Sequence, residues 1–218
     1  GAGGLTAVLH ELKHQLHLDC LTVTGETLGQ WLSETPKWVD RKVVRAFDDP
    51  YQKEGGLIAL FGTLAPTGAI LKRAAADSNL FERTGRAVVF DSLEDLSKRI
   101  DSEDLDVSED DFLVLKNAGP KSETCMPEAG YLPIPKKLAA RGVKDMVRIS
   151  DARMSGTAFG TVVLHVSPDA ASGGNLAFVQ TGDTIRLSVK EKTLDLLVSE
   201  QELDRRKKGW TMRATPSR

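Results

Sequence analysis

At 218 residues, with 40% hydrophobic and 28% charged side chains, the chain can bury a sizeable core as one large domain or two small ones. A net charge of −2 argues against a nucleic-acid surface, which would show as clustered excess Lys and Arg. No apolar run approaches the ~20 residues of a membrane span, so no membrane partner is expected. Cys20 and Cys125 are too few for a disulfide framework, a complete iron–sulfur site or a structural zinc site; they suit a reducing compartment, with the cytoplasm as the expected location.

The chain shows no signal-peptide pattern, lacks an initiator Met and opens on helical spacing, which suggests a piece of a longer protein. Leu5, Val8, Leu9, Leu12 and Leu16 predict an amphipathic helix over 4–18. Its His10, His14 and His17 read as partly exposed helix positions rather than as a metal site. Thr24 is a good N-cap for a second helix over 25–34, with Leu28 and Leu32 inward. From Arg41 the pattern changes to short strands: Val43–Phe47, Leu57–Phe61, Ala87–Phe90, Phe112–Leu115, Met146–Ile149, Val162–Val166, Leu176–Val179, Thr184–Val189 and Leu194–Val198. Helices fall at Leu93–Ile100, Pro135–Ala140 and Ser199–Lys208, the last opened by a Ser199/Glu202 capping box. The acidic run Asp101–Asp111 reads as a solvated connection, and Arg205–Lys208 as a solvated helix end.

So many strands with so few helices do not make a regular βαβ alternation. The expected fold is α/β but β-rich, a β-barrel or curled sheet flanked by helices. Phe178–Val198 reads as two hairpins turning at Gly182-Asp183 and Lys190-Glu-Lys192. The expected organisation is a helical lead-in over 1–35, a barrel domain over 36–210 and a disordered tail over 211–218.

Three loops could carry chemistry. In Gly55–Lys72, which taken alone reads as a structural turn, glycines 62 and 68 around an Ala-Pro turn could let backbone amides approach an anion, with Lys72 adding charge, although the Gly-Lys-Ser/Thr ending of a P-loop is missing. In Asn117–Glu128, Glu128 follows a proline as a fixed carboxylate would, and such an oxygen suits Mg²⁺, which is often held by only one or two protein carboxylates. The third is Asp151–Thr161, a polar turn between two apolar runs that can hold the Ser155 hydroxyl beside free N–H groups. A serine acting as base or nucleophile needs a partner base, a metal or a nest of amides. His165 is the nearby histidine, but Gly-x-Ser-x-Gly is absent and a hydrolase triad is not the expected arrangement.

Taken together, Gly62-Thr-Leu-Ala-Pro66, Met126-Pro-Glu128, Ser150-Asp-Ala-Arg-Met-Ser-Gly-Thr157, His165-Val-Ser-Pro-Asp-Ala-Ala-Ser-Gly-Gly174 and Thr181-Gly-Asp183 resemble the C-terminal portion of the dihydroxy-acid dehydratase / phosphogluconate dehydratase family, from about residue 1 to 210. The resemblance implies a swivelling β-barrel like the C-terminal domain of aconitase. It implies removal of water from a 2,3-dihydroxy sugar acid to give a 2-keto-3-deoxy acid. The implied cofactors are an iron–sulfur cluster (2Fe-2S or 4Fe-4S), bound by a separate N-terminal domain, and Mg²⁺. Ser155 is then the base that takes the C2 proton, Glu128 a Mg²⁺ ligand, and Thr157 and Gly156 substrate contacts. The implied partners are the sugar acid, the protein's own N-terminal domain, and further copies in a dimer or tetramer; the isolated piece is expected to be inactive.

Glu128–Pro135 together with Arg153-Met-Ser155 looks closer to the sugar-acid branch (arabinonate and xylonate dehydratases) than to the branched-chain amino-acid branch. Gly62-Thr-Leu-Ala-Pro-Thr-Gly68 departs from the family's usual Gly-Asn-Leu-Ala-Pro-Asp-Gly, and Cys125 stands where a glycine is usual; both bear on substrate identity. Two alternatives stand beside the sugar-acid reading: a branched-chain dihydroxy-acid dehydratase, and a non-catalytic binding module of the same fold.

Overall fold

The computed structural model describes residues 1–124, 126–128, 132–157 and 159–211. The chain forms two compact units, Gly1–Glu54 and a larger one that starts at Gly55. The expected tail lies almost wholly outside the described residues.

The first unit holds two helices, α1 (Gly4–Glu11) and α2 (Leu28–Glu34). The helix expected over 4–18 stops at Glu11 and continues only as a 3₁₀ turn at Lys13–Gln15. The cap of α2 is Thr27 rather than Thr24: Thr27 accepts from the Gln30 amide while the Gln30 side chain accepts from the Thr27 amide. Each end thus satisfies one of the other's orphan groups. The strand expected at Val43–Phe47 is instead a turn, in which the Val43 and Val44 amides both donate to the Asp40 carbonyl. Val43 and Phe47 are exposed there, so the apolar run has no sheet to join.

The second unit is built on one eight-stranded sheet. Its elements are β1 (Ile58–Leu60), β2 (Gly68–Leu71), β3 (Glu82–Phe90), α3 (Leu93–Arg99), β4 (Phe112–Leu115), α4 (Lys136–Ala139), β5 (Arg148–Ser150), β6 (Val162–Ser167), β7 (Thr184–Ser188), β8 (Thr193–Leu196) and α5 (Glu200–Lys207). The strand order is β1-β2-β6-β5-β4-β3-β7-β8. The middle four, β6-β5-β4-β3, are mutually parallel, and the outer pairs are antiparallel. The two edges then meet: Phe61, just past β1, bridges Thr193 of β8, its amide donating to the Lys192 carbonyl and its carbonyl accepting from Leu194. This contact curls the sheet into a nearly closed barrel and covers edges that would otherwise be free to pair.

Two apolar layers follow from strand alternation. Leu60, Leu71, Val89, Phe112, Ile149, Val163, Leu187 and Leu194 belong to one cluster, to which all eight strands contribute, and which fills the barrel. Val88, Leu113, Leu115, Val162 and Leu164 point the other way and are covered by Leu96 of α3 and Leu138 of α4. Because both of its faces are covered, β4 reads as an unbroken apolar run.

Several expectations change here. Leu176–Val179 is a 3₁₀ turn (Asn175–Phe178), so the first of the two expected hairpins does not form; the second, β7–β8, does. The Gly-rich stretch read as a loop contains β2. Asp111, the last residue of the acidic run, is buried and accepts from the Arg86 guanidinium at 2.8 and 3.0 Å. Arg206, read as a solvated helix end, instead sits with its side chain almost wholly covered, donating to Asp183 at 2.6 and 3.0 Å and to the Phe178 carbonyl. That bidentate contact pins α5 to the turn before β7.

Candidate active site

In open parallel sheets, ligands collect beyond the C-terminal ends of the strands. Here that rim receives the segments leaving β4, β5 and β6. Since β2 runs antiparallel to β6 with Gly68 opposite Ser167, the β1–β2 loop arrives at the same rim.

Asp151, the first residue after β5, ties three of these segments together. It is buried, and its two oxygens accept from the Ala118 amide and the Ala170 amide, each at 2.9 Å. Burial pushes its carboxyl upward, and the two amides pull the other way. Gly119 passes so close that a Cβ there would lie 2.6 Å from Asp169 Cβ and 3.0 Å from an Asp151 oxygen, which makes glycine obligatory. Asp169 in turn accepts from the Lys121 and Ser172 amides at 2.8 and 3.0 Å.

The β5–β6 crossover carries Ser155, Gly156 and Thr157 outward from this anchor. The Ser155 hydroxyl is half-buried; it accepts from the Thr157 amide at 3.2 Å and shares a 3.0 Å hydrogen bond with the Thr157 hydroxyl. Gly156 and Thr157 are exposed. The Lys72 ammonium donates to the Gly156 carbonyl at 2.5 Å.

His165 has a backbone φ of 56° in a bulge of β6, where the register against β2 slips between Gly68 and Ile70. The bulge resets the alternation, so that Val163 and Val166 both join the barrel cluster. It also aims the imidazole at the crossover: Nε2 accepts from the Met154 amide at 2.9 Å, while the His165 amide donates to the Ala152 carbonyl at 2.9 Å. Burial holds the imidazole below its ordinary range. The ring is therefore neutral near pH 7, with Nε2 an acceptor and its proton on Nδ1. It supports the backbone next to Ser155 and makes no triad with the hydroxyl.

Glu128 forms an isolated parallel bridge with Arg153, whose amide donates to the Pro127 carbonyl at 3.3 Å. The two side chains pair at 3.4 Å and are both about half exposed. Glu128 is thus brought beside the crossover, level with a residue two before Ser155. Cys125 lies outside the described residues.

Among the described residues no three His, Cys, Asp or Glu side chains gather to hold a metal. Glu128 has the oxygen chemistry that Mg²⁺ takes, but it offers a single carboxylate, so the remaining ligands would have to come from elsewhere. An iron–sulfur cluster does not fit these residues: it needs several thiolates, and Cys20 is exposed in the first unit. No described helix is long and apolar enough to cross a membrane.

The β1–β2 loop behaves as a structural turn rather than as an anion nest. The amides of Phe61, Thr63, Leu64, Ala65, Thr67 and Gly68 all donate within the protein, three of them to Lys192, Leu194 and Asp195 around β8. Its glycines therefore serve barrel closure. The contacts of Lys72 with Gly156, of Arg153 with Glu128 and of Asp151 with Ala118 and Ala170 join segments distant in sequence, so local spacing did not show them; Asp151, a charged residue directly after an apolar strand, and His165, the nearby histidine, did carry a signal.

Comparison with known proteins agrees with this organisation. The chain is 49% identical over 208 residues to an L-arabonate dehydratase of Azospirillum brasilense, covering 94% of this chain and 36% of that protein. It is 46% identical over 211 residues to a 6-deoxy-6-sulfo-D-gluconate dehydratase of Pseudomonas putida, covering 95% and 36%. It is 41% identical over 213 residues to a dihydroxy-acid dehydratase of Desulfatibacillum aliphaticivorans, covering 96% and 37%. The chain thus spans a little over a third of the length of these curated relatives. A family model described as the dihydroxy-acid/6-phosphogluconate dehydratase C-terminal region matches residues 42–218, and the chain belongs to that family.

Proposed function

We propose that this chain contributes the proton-abstracting side of a dehydratase, a hydro-lyase that converts a 2,3-dihydroxy sugar acid such as arabinonate or xylonate into a 2-keto-3-deoxy acid. The observation that carries this reading is the state of Ser155: a half-exposed hydroxyl on the crossover between two parallel strands, accepting from the Thr157 amide. The identities to relatives named as sugar-acid dehydratases support the substrate class.

In this reading Ser155 takes the C2 proton. The electrons of the C2–H bond form the C2=C3 double bond as the C3–O bond breaks, and the departing 3-hydroxide leaves as water once it takes up the proton that Ser155 removed, which returns Oγ to its starting state. The enol left at C2 then tautomerises to the 2-keto acid. Ordinary serine is far too weak a base for this, so the charge that develops on Oγ must be stabilised where it forms. The Thr157 amide and hydroxyl are aimed there, and exposed Gly156 and Thr157 leave room for substrate against the turn. Glu128 would supply one oxygen ligand to Mg²⁺, whose charge would make the C2 proton more acidic. Acceptance of the departing 3-hydroxyl falls to groups outside these residues, which we assign to an upstream domain of the full-length protein.

The test is Ser155→Ala in the full-length holoenzyme, assayed on a panel of aldonic acids and on 2,3-dihydroxy-isovalerate. Dehydration should fall by about 10²- to 10⁴-fold with the melting temperature unchanged. Parental turnover by the variant would rule out Ser155 as base, and preference for dihydroxy-isovalerate would move the protein to the branched-chain reading.

A further inference from the structure

We propose that Lys72 is a positioning residue for Ser155, acting through one peptide unit, the one that joins Gly156 to Thr157; the proposal rests on the reading of Ser155 as the base. Lys72 lies just past β2 and reaches the crossover over a separation of 84 residues. Its ammonium donates to the Gly156 carbonyl at 2.5 Å. The N–H of that same peptide belongs to Thr157 and donates to Ser155 Oγ at 3.2 Å. The three groups form one chain of hydrogen bonds, from Nζ through the peptide to Oγ.

Two physical consequences follow. A charged donor on a carbonyl polarises the amide, so the N–H at its other end becomes a stronger donor, and hydrogen bonds in series reinforce one another. Charge developing on Oγ thereby feels the ammonium without touching it. The second consequence is orientation. Gly156 is exposed, and a Cβ built on it would meet no atom within 4 Å, so packing does not hold this peptide. Glycine leaves it free to rotate, and rotation would carry the Thr157 N–H away from Oγ.

Lys72 supplies a hold on that side of Ser155, as His165 does on the other through the Met154 amide at 2.9 Å. Only the Lys72 side brings charge, since His165 is neutral. Among the described residues no carboxylate forms an ion pair with Lys72, so its charge is not cancelled locally.

The experiment compares Lys72→Met, Lys72→Arg and Ser155→Ala in the full-length holoenzyme. Methionine keeps the apolar stem and removes donors and charge; arginine keeps both. Lys72→Met should lower kcat by about 10- to 100-fold with KM within about twofold and an unchanged melting temperature, and Lys72→Arg should restore most of it. A crystal structure of Lys72→Met should show the 156–157 peptide rotated, with the Thr157 N–H no longer on Oγ. A loss confined to KM would assign Lys72 to the substrate's carboxylate and overturn the proposal. Equal losses in Met and Arg with a lowered melting temperature would make it structural, and also overturn it. Parental kcat in Lys72→Met beside an inactive Ser155→Ala sinks this inference alone, whereas an active Ser155→Ala sinks the assignment of the base itself.

Discussion

The β1–β2 loop and the β5–β6 crossover stand at the same rim and share a vocabulary of Gly, Thr and Ala, yet their backbones are used in opposite ways. In the first, Leu64 and Ala65 are fully buried and the amides turn inward to β8 and to the loop itself. In the second, the chain is fixed at Asp151 and again at Thr161, whose amide and hydroxyl donate to Asp145, and between them it rises into solvent around Ser155. Glycine and threonine at a sheet edge therefore do not announce a binding loop. What decides is whether their N–H groups already have partners, and partners are a property of the closed barrel rather than of the loop.

A Cβ at Gly62, whose φ is 151°, would lie 2.4 Å from the Leu194 carbonyl oxygen, so Gly62→Ala must push β1 and β8 apart. It should destabilise by about 3–5 kcal/mol, read as a large drop in melting temperature. A variant that melts like the parent would mean that closure at Phe61–Thr193 is dispensable. On the other side, Asp151→Asn places an NH₂ against one of the two buried amides that the carboxylate accepts. A cost of about 2–3 kcal/mol is expected, together with a fall in kcat, because the crossover loses its anchor. Thr63→Val should cost less, about 1–2 kcal/mol: it strips the hydroxyl that accepts from Leu196 N–H at 2.8 Å and donates to Leu196 C=O at 3.0 Å. Its kcat should stay at the parental value. Loss of turnover in Thr63→Val without loss of stability would show that the β1–β2 loop takes part in the chemistry after all.

How far the sequence carried the fold depends on how local each cause is. The buried strands β4 and β6 were legible because apolar runs with turn signals on both sides need no partner to be recognised. β3 was legible only in its last four residues. Its earlier half, Glu82–Arg86, is charged and is held as a strand by pairing with β7 and by Arg86 on the buried Asp111. Val43–Phe47 failed for the converse reason: strand-forming residues with no neighbour to pair with remain a turn. At the candidate site, Ser155, Thr157 and Glu128 were singled out from residue type and motif. The contacts around them were not, since Lys72 on Gly156, His165 on Met154 and Arg153 on Glu128 exist only once the barrel brings distant segments together.

The smallest predicted effect separates the supports of the crossover by their chemistry. His165 donates nothing to Ser155; it offers a lone pair to the Met154 amide, and burial keeps its imidazole below the ordinary value near 6.5. A folded state that resists protonation binds fewer protons than the unfolded chain once the pH drops below about 6.5, so stability falls as the pH is lowered through that range. Protonation would also put an N–H against the Met154 N–H and release the turn. His165→Gln offers an amide oxygen that can accept the same bond and does not titrate. Its melting temperature should therefore lie close to the parent's at pH 7.5 and fall less steeply between about pH 6.5 and 5, the two slopes differing by at most about one proton. Parallel curves for parent and variant would show that the imidazole does not report on the fold. In that case the hold on Ser155 from this side would be a matter of shape, leaving Lys72 as the charged one.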